Sequence, residues 1–246
     1  MKNTIKDTQD KAARVAGLTY LLSLVTVVSV TYGIVLPALG GGDPGQMAHS
    51  VVTHETLFRT GIAGNLLYCI ETFVLAAALY VVLRAVDPLC ALLAALGRLI
   101  HGAIWLLIPL HLFTALRLLT QAEYAKALPP DQLAVLARLN ISGFDIYYVA
   151  LLFWALGSTV GAFLWLRSRY VPKTLAIFGI LTSGWAVACT TILFVFPGFQ
   201  NLVDLNWFDM PLVLFETLLG LLLLVRGLRF PSPGGRPENR AAAAAR

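Results

Sequence analysis

Six apolar runs, each long enough to cross a bilayer, constrain this chain more than any other feature of its sequence. A membrane-crossing helix needs about 20 apolar residues, and in hydrocarbon only helices and closed barrels satisfy their own backbone groups. The runs lie at approximately 15–36, 57–83, 89–119, 141–166, 173–196 and 208–225, and they are continuous rather than alternating, which argues against a barrel. Composition agrees, with 58% of the 246 residues hydrophobic, 13% charged and a mean hydropathy of +0.78. The expected fold is all-α, a polytopic bundle of six transmembrane helices over 15–225. A basic leader at 1–14 precedes it, and a Pro-, Gly- and Ala-rich tail at 226–246 is expected to be disordered.

The leader resembles the start of a signal peptide, but a secretory core runs to only about 7–15 residues, so the first run is read as a retained span. Gly40-Gly41-Gly42-Asp43-Pro44-Gly45 then breaks the chain into a loop. Pro109 is expected to kink the third span by removing a backbone hydrogen bond. In 121–140, Glu123, Lys126, Asp131 and Arg138 are interspersed with Leu and Ala around Pro129 and Pro130. That segment is expected to form a short amphipathic helix on the surface, buried in neither lipid nor core.

The Lys and Arg residues set an orientation. With the amino terminus inside, the cytoplasmic segments carry Lys2, Lys6, Lys11 and Arg14, then Arg84, then Arg167, Arg169 and Lys173, and finally Arg226, Arg229, Arg236, Arg240 and Arg246. The external segments carry Arg117, Lys126 and Arg138, while Arg59 and Arg98 fall within spans. This positive-inside bias predicts both termini in the cytoplasm of a plasma (inner) membrane. It also accounts for the net charge of +5 without an acidic partner, since no basic cluster interleaved with aromatics points to nucleic acid.

The sequence resembles a bacterial membrane family known as domain of unknown function 4386. The resemblance rests on Arg14-Val15-Ala16-Gly17-Leu18-Thr19-Tyr20-Leu21-Leu22 in the first span and Glu55-Thr56-Leu57-Phe58-Arg59-Thr60-Gly61-Ile62 at the start of the second. Arg98-Leu99 in the third and Arg169-Tyr170-Val171-Pro172-Lys173-Thr174-Leu175-Ala176 between the fourth and fifth extend it over nearly the whole chain. It implies a multi-pass fold and brings no substrate. Where an acidic or amide residue is expected shortly after the third-span arginine, this chain carries His101.

Ionisable groups at mid-membrane are costly, so each calls for a partner or a purpose. At about 1.5 Å per residue, Glu71 lies about 20 Å from the cytoplasmic end of its span, Arg98 and Glu216 about 15 Å, and His101 about 18–20 Å, so the four are expected to share one layer. Arg98 and His101 also share a helical face that Trp105 continues. In one reading Arg98 pairs with Glu71 or Glu216 and locks helix register; in the other the layer lines a polar cavity that binds a small solute or passes protons, with His101 titrating. Arg59 and Asp145, the latter just before Tyr147 and Tyr148, form a candidate outer vestibule.

No metal or cofactor is expected. His101 and His111 lie about 15 Å apart along one helix and cannot clamp one haem iron, and His49 with His54 lacks a third ligand. Protease patterns are absent, so a non-enzymatic solute-binding or transport protein is favoured. An accessory or regulatory subunit with purely structural buried charges and, as a weaker reading, a membrane-embedded enzyme acting on lipid are the alternatives. The expected partners are the lipid bilayer and a small solute.

Overall fold

A backbone that must satisfy itself in hydrocarbon has little choice but helix, and the computed structural model of the protein, which describes residues 2–39, 43–142 and 144–230, is helical with no strand among them. The elements are α1 (Lys2–Val30), a π-helical turn (Thr31–Val35), α2 (Leu36–Leu39), α3 (Pro44–Thr53), α4 (Glu55–Leu83), α5 (Pro88–Trp105) and α6 (Leu107–Thr120). They continue as α7 (Ala122–Ala127), α8 (Pro130–Ser142), α9 (Phe144–Ser168), α10 (Lys173–Val195), a 3₁₀ turn (Pro197–Asn201) and α11 (Asn206–Arg226). Six stretches are long and apolar enough to cross a membrane, so the chain is a multi-pass membrane protein.

The long helices form a ring in chain order. Helix α1 packs on α4, α4 on α5, α5 on α9, α9 on α10 and α10 on α11, and α11 closes back onto α1. Two glycine crossings draw this ring tight. A Cβ on Gly17 of α1 would meet the Gly220 carbonyl of α11 at 2.7 Å, and one on Gly97 of α5 would meet Gly157 Cα of α9 at 2.8 Å. Only glycine permits backbones to approach so closely.

Prolines shape the rest. The third span is interrupted at Leu106, three residues before Pro109, so the expected kink becomes a break between α5 and α6. In the first span the Leu36 N–H reaches back to the Thr31 carbonyl, a π turn just ahead of Pro37, which cannot donate to the preceding turn. Pro211 lies inside α11 and cannot bond the Trp207 carbonyl; the Trp185 indole of α10 donates to that carbonyl instead, at 2.8 Å.

Several segments depart from expectation. The first loop contains a helix, α3, capped by the Asp43 carboxylate on the Gln46 N–H at 2.8 Å. The surface segment is only half a surface. Asp131 is exposed, but Leu133, Ala134, Ala137 and Ile141 of α8 are buried, and Ala137 and Ile141 cluster with Met47 and Val51 of α3 and Leu112, Ala115 and Leu116 of α6. Their spacing gives α8 one apolar face, and burying it outweighs exposure to water. The chain beyond α11 is held as far as Phe230: the Leu228 N–H donates to Asp10 at 3.0 Å, the Arg229 N–H to the Tyr170 carbonyl at 3.1 Å, and Phe230 packs edge-on against Tyr170. The expected disorder of 231–246 and the glycines at 40–42 lie outside the described residues.

Candidate functional site

The side chains at the middle of the ring follow from the glycine crossings. Arg98 neighbours Gly97, Ser158 neighbours Gly157, and Tyr20 and Glu216 lie one turn from Gly17 and Gly220. Close approach of those backbones brings the polar tips together. Arg98, which is 4% exposed, forms an ion pair with Glu216 of α11 and donates from the same Nη2 to Ser158 Oγ at 3.1 Å. Glu216 Oε1 also accepts from Trp154 Nε1 and Ser158 Oγ, both at 2.8 Å. The guanidinium faces the Tyr20 and Trp154 rings at 5.4 and 5.7 Å. A charge buried in hydrocarbon is tolerated only with this density of partners.

His101 is next to the pair and fully buried. Its Nδ1 lies 3.0 Å from the Ala150 carbonyl and its Nε2 3.1 Å from the Tyr68 hydroxyl. A carbonyl only accepts, so Nδ1 carries the proton and Nε2 accepts from Tyr68. Both nitrogens are thereby committed, and the ring packs between Trp105 and Trp154. Trp105 extends this face as expected, donating from Nε1 to Asn65 Oδ1 at 3.0 Å.

Glu71 does not join the layer. It is half-buried and accepts from Thr26 Oγ1 of α1 at 3.1 Å. The inward line of α4 runs through the buried Tyr68 and Thr72, and Glu71, about 100° round the helix from Thr72, sits on the α1 side. Depth along a span fixes height and leaves rotation open. The outer vestibule is likewise not assembled as expected. Arg59 is exposed and pairs with Glu55 at 2.7 Å on its own helix, and Asp145 is exposed. The acid that accepts from Tyr147 is Asp209 of α11.

That contact belongs to a cavity of about 670 Å³. It opens where α1 and α11 diverge beyond their glycine crossing, at the end of the bundle opposite the amino terminus, between the π turn and the start of α11. Leu24, Val27, Val28 and Val213 give it apolar walls, while Asn65, Trp105, Tyr147 and Asp209 supply polar atoms. Leu24, Val27 and Val213 also line a smaller space of about 50 Å³ bordered by Tyr20, Arg98 and Glu216. The ion pair thus borders a small space that adjoins the cavity through these shared residues. Among the described residues, no group of three or more His, Cys, Asp or Glu is placed to hold a metal ion.

Sequence reasoning reached Arg98, Glu216, His101 and Trp105 through their cost or spacing. It missed Tyr20, Tyr68, Trp154, Ser158 and Asn65, which look like ordinary span residues, and Asp209, an acid at the edge of the sixth span. A usable signal was present in Pro37, just after the π turn that ends α1, and in Pro211, inside α11, the two helices that part to form the cavity.

A family profile described as Domain of unknown function (DUF4386) matches residues 15–227. No curated protein and no solved structure is significantly similar to the chain.

Proposed function

The chain belongs to the family described as Domain of unknown function (DUF4386), and we propose that it binds a small solute, without catalysis, in the cavity above the Arg98–Glu216 pair. The observation that carries this reading is the cavity itself. Its size, apolar walls and few convergent polar groups are the ordinary make-up of a small-molecule site. The charged layer borders the small space adjoining it, and His101 and Tyr68 brace that layer through bonds to α9 and α5. The excess of Lys and Arg in the leader, the α9–α10 turn and the tail supports both termini lying in the cytoplasm of the inner membrane. The cavity then faces outward. The density of partners around Arg98 supports a second reading, an accessory subunit whose buried charges only hold the helices together.

Three consecutive residues of α11 test the first reading. Leu212 is in the core, Val213 lines the cavity wall, and Leu214 is on the outer, lipid-facing side of the ring. Single cysteines are placed at each, with Cys69, Cys90 and Cys189 replaced by Ala, and the protein is held in lipid nanodiscs. A charged, water-soluble methanethiosulfonate reagent is expected to modify Val213→Cys and to spare its two neighbours. If Val213→Cys is as inert as Leu212→Cys, the cavity is not hydrated and the accessory reading takes its place.

A further inference from the structure

Resting on that solute-binding reading, we infer that the cavity takes an organic cation with an apolar body. Two carboxylates border the cavity, Asp209 in the first turn of α11 and Asp204 at the mouth. No Lys, Arg or His is among the described residues that line it, and neither acid belongs to an ion pair among the described residues. Asp209 is half-buried at the amino-terminal end of α11, where the helix dipole complements a negative charge. A half-buried carboxylate with no basic residue near it gains from a positive partner.

Aromatic rings complete the case. Trp105 and Tyr147 meet with centroids 5.8 Å apart, and Tyr147 and Tyr148 stand edge-to-face at 5.1 Å, all three on the cavity wall. Aromatic rings on a cavity wall offer a cation the negative face of their quadrupole. The Tyr147 hydroxyl donates to Asp209 and holds the carboxylate beside those rings. The apolar part of the wall, which includes Leu24, Val27, Val28 and Val213, accepts an apolar body.

The test uses the full chain in phosphatidylcholine nanodiscs and three probes of similar shape: benzyltrimethylammonium, its uncharged carbon analogue neopentylbenzene, and benzenesulfonate. Tryptophan fluorescence reads binding. Benzyltrimethylammonium is expected to bind saturably and about tenfold or more tighter than neopentylbenzene, with no binding of benzenesulfonate. Asp209→Asn keeps an acceptor for Tyr147 and is expected to weaken the cation by about tenfold while leaving neopentylbenzene unchanged. Tyr147→Phe keeps the ring but releases the carboxylate from its place beside the rings, so cation affinity should fall by less than in Asp209→Asn. Equal binding of cation and neutral analogue, or an Asp209→Asn variant that binds the cation as the parent does, overturns the assignment. If none of the probes binds while Val213→Cys is reactive from water, the cation assignment falls and the solute site stands. If Val213→Cys is inert, both fall.

Discussion

Arg98 and Glu216 are the residues on which the interior turns, because each is a buried charge whose chief compensation is the other. Removing one partner of such a pair costs about 3–5 kcal/mol, whereas removing both is often tolerated. Arg98→Leu is therefore expected to lower folded yield sharply, and Arg98→Leu with Glu216→Leu to recover much of it. Arg98→Leu with Glu71→Leu should recover nothing, since Glu71 bonds Thr26 instead. Fluorescence size-exclusion profiles of the variants check this. Asp87 gives a second residue-scale expectation. It caps α5, accepting from the Cys90 and Leu89 N–H groups at 3.1 Å each, and faces Arg167 at 3.3 Å. The Cys90 and Leu89 N–H groups and the Arg167 charge hold its carboxyl below the usual range. A depressed folded pKa means that this stabilisation is full above the unfolded value of about 3.9 and is lost as pH falls through the folded one. Melting curves below about pH 4 should accordingly show a steeper loss for the parent than for Asp87→Ala.

Elements were legible wherever local chemistry decides them. The apolar runs gave the spans, and Pro109 gave the break in the third. Rotation about a helix axis was not legible, which is why Glu71 was expected beside Arg98 and Asp145 beside Arg59. Burial of α8 was hidden for a related reason: its partner α3 lies in a loop whose Gly and Pro residues read as irregular chain. The glycine crossings also needed the partner backbone to become visible. Gly157 and Gly161 form a small-residue motif in α9, yet a Cβ at Gly161 would meet nothing within 4 Å, while one at Gly157 would lie 2.9 Å from the Ala94 carbonyl. Gly157→Ala should therefore destabilise by about 1–3 kcal/mol and Gly161→Ala should not, as thermal unfolding in detergent would report. In α11, Trp185→Phe leaves the Trp207 carbonyl without its indole donor and should cost about 1 kcal/mol. In a Pro211→Ala background, where the restored backbone N–H can bond that carbonyl, the cost should shrink in a double-mutant cycle.

At the scale of the whole molecule, a ring of six helices tied by glycine crossings and pinned by one ion pair has a closed end and an open end. The amino terminus of α1, the α4–α5 and α9–α10 turns and the residues after α11 gather at the closed end, where Asp10 accepts from Leu228. The cavity occupies the other end. Reporter fusions after Arg84, Lys173 and Phe230 should register cytoplasm, and fusions near Asp43 and Asn201 the outside. The proposed orientation and the proposed solute site beside the Arg98–Glu216 layer are tested together by sided labelling of Val213→Cys. An impermeant thiol reagent is applied to right-side-out and to inverted membrane vesicles. Modification is expected to be rapid from the outside and at least about tenfold slower from the inside, since the paired layer blocks the path. Equal rates from both faces, or a faster rate from the inside, would contradict it.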